Sequence, residues 1–393
     1  MRGIQTYNFK GKKALIRVDF NVPLDAHGHV MDGTRIDRTL PTIRKVLDDG
    51  GAAMLMSHLG RPQPGYAARF SLQPLVAYLA DSLATPVIFA RDCIGPEVQA
   101  KAQHLRPGEV LLLENVRLHR AEAAGDKEFA QALAALGDVY IQDAFGTAHR
   151  AHASTMVVAQ YCTDKLAGFL LQEELRHAAR LLGGGKPFTA IIGGAKVADK
   201  IQAIACLLDQ VDSLLVGGGV ANTFWQALGG QLGSSLVAAN QLELALALCN
   251  QARRKNINLV LPTDVVIAAP GDDLTHTAIA PGDAIPAGWL ALDIGPVSRK
   301  IFAKTIQAAN TILWSGPVGA FERDHCSQGT QAIARAVAAA TRQGAFSLIG
   351  GGDSAAAIQR LGYGGQVSYI STGGGALLAY IVDPNLPGIR VLG

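Results

Sequence analysis

Short apolar runs recur along this chain, each closed by glycine or a polar turn and followed by residues at helical spacing. The first set is KALIRVDF (13–20), AAMLMSH (52–58), EVLLLENV (109–116) and DVYIQDAF (138–145). The second is FTAIIGG (188–194), SLLVGGG (213–219), NLVLPTDV (258–265), TILWSGP (311–317) and FSLIGGG (346–352). Continuous apolar strands alternating with helices predict parallel sheets covered on both sides. The expected fold is α/β: two doubly wound lobes, each a mostly parallel sheet with helices on both faces, joined by a hinge helix. KLAGFLLQEELRHAARLL (165–182) has a helical period and ends at the breaker GGGK, which makes it the expected joint. The expected division is therefore 1–165, a linking helix over 166–182, and 183–379. The tail, 380–393, is expected to pack back on the first domain.

Composition narrows the class. A chain of 393 residues is long for one core, and 49% hydrophobic with 17% charged residues describes an ordinary globule. No apolar run approaches the roughly twenty residues that cross a bilayer, and the first residues do not read as a secretory signal. Five cysteines without CxxC spacing fit a cytoplasmic protein with neither disulfide framework nor zinc site. A net charge of +3 gives no reason to expect nucleic acid or a membrane as partner. His27 and His29 read as a solvated turn, and QARRKNINL (251–259) as a helix end with basic residues.

In open parallel sheets, ligands gather beyond the carboxyl ends of the strands. In the first half those ends carry Asp19, Asn21, His58, Arg61, Arg117, Asp143, His149 and Arg150, with Arg35 nearby. Guanidinium groups are planar forks suited to carboxylate and phosphate, so the grouping points to a small, multiply charged anion. The second half ends its strands in glycine: IIGGAKVADK, VGGGVANTF, WSGPVGAFE, IGGGDSAAA and STGGGALLA. Glycine lets backbone N–H groups approach a ligand, and the helix that follows favours phosphate. Lys196 and Lys200 share a helix face, and Asp353 is a candidate ligand for Mg²⁺ beside phosphate oxygens. Neither the Walker spacing nor the third glycine of the dinucleotide fingerprint is present. One anion-binding lobe and one nucleotide-binding lobe describe a phosphoryl-transfer enzyme. A dehydrogenase and a two-lobed anion receptor are the rival readings.

RVDFNVP, SHLGRP, DAFGTAHRAH, GGAKVADKI, GGGDSA and STGGGA occur in this order, and the whole chain resembles the phosphoglycerate kinase family. That resemblance implies reversible phosphoryl transfer between 1,3-bisphosphoglycerate and ADP, giving 3-phosphoglycerate and ATP in glycolysis. The implied amino-terminal lobe holds the triose through Asp19, Asn21, Arg35, His58, Arg61, Arg117 and Arg150. The implied nucleotide set is Gly194, Ala195, Lys196 and Lys200 near the phosphates, Gly218, Gly219 and Pro317 about the adenine, and Glu322 on the ribose. Gly351, Gly352, Asp353 and Ser354 would meet the outer phosphates and Mg²⁺, with Asp353 as the metal ligand. Gly373 to Gly375 would offer amides to the moving phosphoryl group. The implied catalytic set is Arg35, Lys196, Lys200, Gly352 and Gly375, in a monomer whose lobes close for in-line transfer.

Five positions depart from the family's usual residues: Ser315 for asparagine, Leu377 and Ala379 for a serine and an acidic residue, Ser354 for threonine, and Gln142 for asparagine. The first puts one hydrogen bond near the nucleotide in question.

Overall fold

The computed structural model describes every residue except 63–67, 270–273 and 275. It divides into two units: Met1–Leu175 with Asn385–Gly393, and Arg176–Pro384.

The first unit is built on six parallel strands: β1 Lys13–Arg17, β2 Ala52–Met56, β3 Val87–Phe89, β4 Val110–Leu112, β5 Val139–Gln142 and β6 Asp164–Ala167. Their order is β3-β4-β2-β1-β5-β6. The central strands are apolar on both sides, with Ala14, Leu15 and Ile16 of β1 wholly buried, as a sheet covered on both faces requires. From β1 the chain winds one way to β2 and the other to β5, so a crevice opens beyond the carboxyl end of β1.

The second unit repeats the plan with β7 Phe188–Ile192, β8 Ser213–Val216, β10 Asn258–Val260, β15 Thr311–Ser315, β16 Phe346–Gly350 and β17 Tyr369–Ile370. The order is β10-β8-β7-β15-β16-β17, all parallel, with the change of direction between β7 and β15. An antiparallel layer joins it, formed by β11 Asp264–Ala268, β12 Thr277–Pro281 and β14 Leu290–Ile294. A two-stranded piece pairs β9 Gln231–Leu232 with β13 Ala284–Ile285. The expected run at 258–265 is thus two elements, since the chain leaves the main sheet after Val260 and starts the antiparallel layer at Asp264.

The expected linking helix begins later than its period suggests. Lys165–Ala167 belongs to β6, and the helix is Phe169–Leu182. Its start is fixed by residues distant in sequence: Thr42 Oγ1 accepts from Phe169 N at 2.9 Å, and Asp143 Oδ1 from Leu171 N at 3.0 Å. Both satisfy amide groups that a helix terminus leaves without partners. The division between units falls inside this helix, after Leu175. At the other end, the helix Gly375–Val382 stays with the second unit, and the segment counted with the first starts at Asn385. There Gly388 N donates to Ala148 O at 2.8 Å.

Candidate functional site

In the first unit the crevice beyond β1 gathers the arginines. Asp19 Oδ2 accepts from Arg35 Nη1 at 3.2 Å, and the same nitrogen reaches Asn21 O at 3.1 Å. Asn21 Oδ1 accepts from Gly60 N at 2.8 Å, and Arg117 Nη1 donates to Gly60 O, also at 2.8 Å. Loop and guanidiniums therefore brace one another. Arg117 is positioned by Asn115, whose side chain accepts from Arg117 N at 3.0 Å and donates to Leu59 O and Phe70 O. Arg150 Nε donates to His149 Nε2 at 3.2 Å. Arg61 is exposed, and its charge lowers the pKa of Arg150. Asp143, by contrast, serves the helix described above.

The cluster is short of negative charge. Burial and the charges of Arg150 and Arg17 hold Arg117 down at about 10, and burial with Arg61 lowers Arg150. Arg117 Nη2 and His149 Nδ1 are buried without a partner. Burial and Arg150 also depress His149 to about 4, so this ring is neutral near pH 7. Guanidiniums crowded together with donors unmet are the groups that a small polyanion would satisfy.

Beneath the crevice lies a charged layer that inspection of strand ends misses. Arg17 is only 1% exposed; its Nε donates to Ser154 Oγ at 2.8 Å, and its Nη2 faces His58 Nδ1 at 3.3 Å. Ser154 Oγ in turn donates to the buried Glu122 Oε1 at 2.6 Å. An arginine inside the apolar run KALIRVDF was the available signal, because a charge within a covered strand needs a partner. A guanidinium has no acceptor atom, so His58 Nδ1 must accept and Nε2 must carry the proton. Burial first, then Arg17 and the neighbouring arginines, push the His58 pKa well below its usual value. ¹⁵N NMR of His58 is therefore expected to show the Nε2–H tautomer, unchanged from pH 5.5 to 8. A titration midpoint inside that window would contradict it.

The second unit holds a cavity of about 300 Å³ at the change of strand direction. Of the expected nucleotide residues, Gly194, Ala195, Gly218, Gly219, Pro317, Glu322 and Asp353 line it. Leu236 and Val318 add apolar wall. Gly218 opens the helix Gly218–Ala227 with φ +58°, and a Cβ there would lie 3.0 Å from Gly194 N, so only glycine lets the two loops meet. Asp353 stands exposed in the first turn of the helix Gly352–Arg360.

Lys196, Lys200, Gly351, Gly352, Ser354 and Gly375 lie outside the lining. Lys196 is exposed at the start of the helix Val197–Leu207, whereas Lys200 donates from Nζ to Ser315 O at 2.8 Å and Ser315 Oγ at 3.0 Å. Ser354 is wholly buried, and its hydroxyl accepts from Gly316 N at 2.5 Å. Gly352 and Gly375 have open space where a side chain would stand.

Sequence reading also missed Asp293, a wall residue of the cavity. Its carboxylate accepts from Gly329 N at 2.6 Å and Ile294 N at 2.9 Å, with Arg299 Nη2 at 3.5 Å. Burial nevertheless raises its pKa to about 7. Of the departures, Gln142 Oε1 accepts from Ala144 N at 3.1 Å, and Leu377 packs over Gly350 at the end of β16.

The family model described as phosphoglycerate kinase matches residues 4–383. The chain belongs to the phosphoglycerate kinase family. It is 47% identical over 386 residues to the phosphoglycerate kinase of Chlorobaculum tepidum, covering 98% of this chain and 97% of that one. The relative from Chloroherpeton thalassium is 47% identical over 390 residues, 99% and 98% of the two chains. Among solved structures, the phosphoglycerate kinase of Coxiella burnetii matches with TM-score 0.85 and 38% identity over 99% of this chain and 98% of that one. That of Pyrococcus horikoshii matches at TM-score 0.87 and 28% identity over 100% and 98%. Membership makes the chain a kinase, a phosphotransferase with a carboxyl acceptor. Its reaction is the family's glycolytic one, reversible transfer between 1,3-bisphosphoglycerate and ADP that yields 3-phosphoglycerate and ATP. No helix among the described residues is long and apolar enough to cross a membrane.

Proposed function

We propose that the arginine crevice of the first unit holds the phosphoglycerate and the glycine-walled cavity of the second holds the adenine nucleotide. The observation that carries this reading is the charge imbalance of the crevice, where Arg117 and Arg150 are both lowered by burial and by neighbouring arginines. Arg35, Asp19, Asn21, His58, Arg61, Arg117 and Arg150 bind the triose. Gly218, Gly219 and Pro317 take the base, and Glu322 the ribose. Gly194, Ala195, Lys196, Lys200 and the Gly351–Ser354 turn attend the phosphates. Lys196, exposed at its helix start, is free of the tether that Ser315 gives Lys200.

The carboxylate of Asp353 is a hard oxygen donor on the cavity wall, and it fits Mg²⁺ carried in with the nucleotide. The metal, when bound, neutralises charge on the phosphate oxygens. Replacing Asp353 by Asn is expected to weaken MgADP binding about tenfold in calorimetry while leaving metal-free ADP binding nearly unchanged.

Nucleophile and leaving group are both ionised near neutral pH, so the chain's residues need no general base. They must offset charge and align two oxygens, with Lys200 and Arg35 clasping the phosphoryl group and Lys196, Gly352 and Gly375 assisting. Because the substrates sit on separate units, transfer requires closure about the helix Phe169–Leu182, which also excludes water from the acyl phosphate. Both sites lie on one chain, so a monomer suffices, and five free thiols suit a reducing cytoplasm. The deciding experiment is a coupled assay of NADH oxidation dependent on both ATP and 3-phosphoglycerate. Small-angle scattering should show compaction only when both substrates are present, and no change would count against closure.

A further inference from the structure

Ser315 closes β15, the strand beside the change of direction, and is 1% exposed. Its carbonyl oxygen accepts twice, from Gly193 N at 3.0 Å and from Lys200 Nζ at 2.8 Å. Its hydroxyl oxygen receives a second bond from the same ammonium at 3.0 Å. The next residue, Gly316, has φ +97°, and a Cβ there would lie 2.8 Å from Lys200 Nζ. Gly316 N is in turn engaged by Ser354 Oγ on the helix Gly352–Arg360. One strand end therefore joins the loop after β7, the lysine of the following helix and the turn that carries Asp353.

Lysine has a flexible four-carbon stem, and an untethered ammonium would have to be ordered each time a polyphosphate bound. Two bonds to one residue fix the group beforehand. The stem also runs past the wall of the cavity, since a Cβ on the lining residue Gly194 would stand 3.8 Å from Lys200 Cε. We propose that Ser315 is a positioning residue: its carbonyl and hydroxyl dock the Lys200 ammonium at the end of β15, so that an incoming nucleotide polyphosphate meets a charge already in place. The Ser315 hydroxyl is thus committed to the lysine.

This inference rests on the nucleotide assignment above, and the test separates the two. MgADP binding is measured by calorimetry on the full chain for wild type, Ser315→Ala, Ser315→Cys, Lys200→Met and the double variant Ser315→Ala/Lys200→Met. Cysteine keeps the shape of serine but is a weak acceptor, so it controls for packing. Ser315→Ala and Ser315→Cys are each expected to raise Kd about tenfold, the effect of removing one hydrogen bond to a charged group. In the Lys200→Met background the serine substitution is expected to add less than about twofold, because the group it positions is gone. Unchanged or tighter binding by Ser315→Ala overturns the proposal. So does a Ser315→Cys variant that binds like wild type, or a full tenfold loss that persists without Lys200. Failure of the wild type to bind MgADP at all would instead remove the nucleotide assignment itself.

Discussion

Lys200→Ala is expected to lower kcat by about two orders of magnitude or more, with 3-phosphoglycerate binding unchanged. Phosphoryl transfer between two ionised oxygens leaves the protein little to do except offset charge and hold geometry, so removing a donor aimed at the moving group falls on turnover. The side chain is half-buried, docked on Ser315, and belongs to the second unit, whereas the arginine crevice is built from the first. Loss confined to kcat and nucleotide affinity is therefore the signature. Steady-state kinetics with both substrates varied, paired with calorimetry of 3-phosphoglycerate, make the check. A near-normal rate would strip Lys200 of its assigned role.

Arg117→Met should act in the opposite unit and in two directions at once. Binding of 3-phosphoglycerate is expected to weaken about ten- to a hundredfold, the range for a lost hydrogen bond between two charged groups. MgADP binding should be untouched. The ligand-free protein should melt higher, by about 2 °C or more, because a guanidinium held down at about 10 by burial and by its neighbours is unfavourable where it stands. Calorimetry and thermal unfolding of the same preparation test both halves. A variant that loses affinity and also melts lower would show that Arg117 supports the fold rather than opposing it.

Those two residues were legible in the chain because strand ends in open parallel sheets are where ligands collect, and each run closed where its pattern broke. What escaped was set by partners far away. Arg17 looks like the end of a strand until Ser154 and Glu122 are brought beneath it, more than a hundred residues on. Asp293 reads as one acidic residue among many, and only the fold places it against Gly329 and the cavity. Strand β6 was absorbed into the linking helix because four residues cannot show a period, and no local capping residue marks the true start; Thr42 and Asp143 supply that cap. The antiparallel layer was missed for a related reason: NLVLPTDV runs without a glycine across the point where the chain changes sheets.

The return of the last nine residues, Asn385–Gly393, to the first unit has a consequence for how the molecule is made. Gly388 fits against Ala148 and Thr155 so closely that even a methyl group would collide, and Ala148 directly precedes His149 and Arg150. The first unit is assembled from two stretches, and the whole of the second unit lies between them in sequence. The packing of Gly388 on Ala148 therefore forms only once both stretches of the first unit are present.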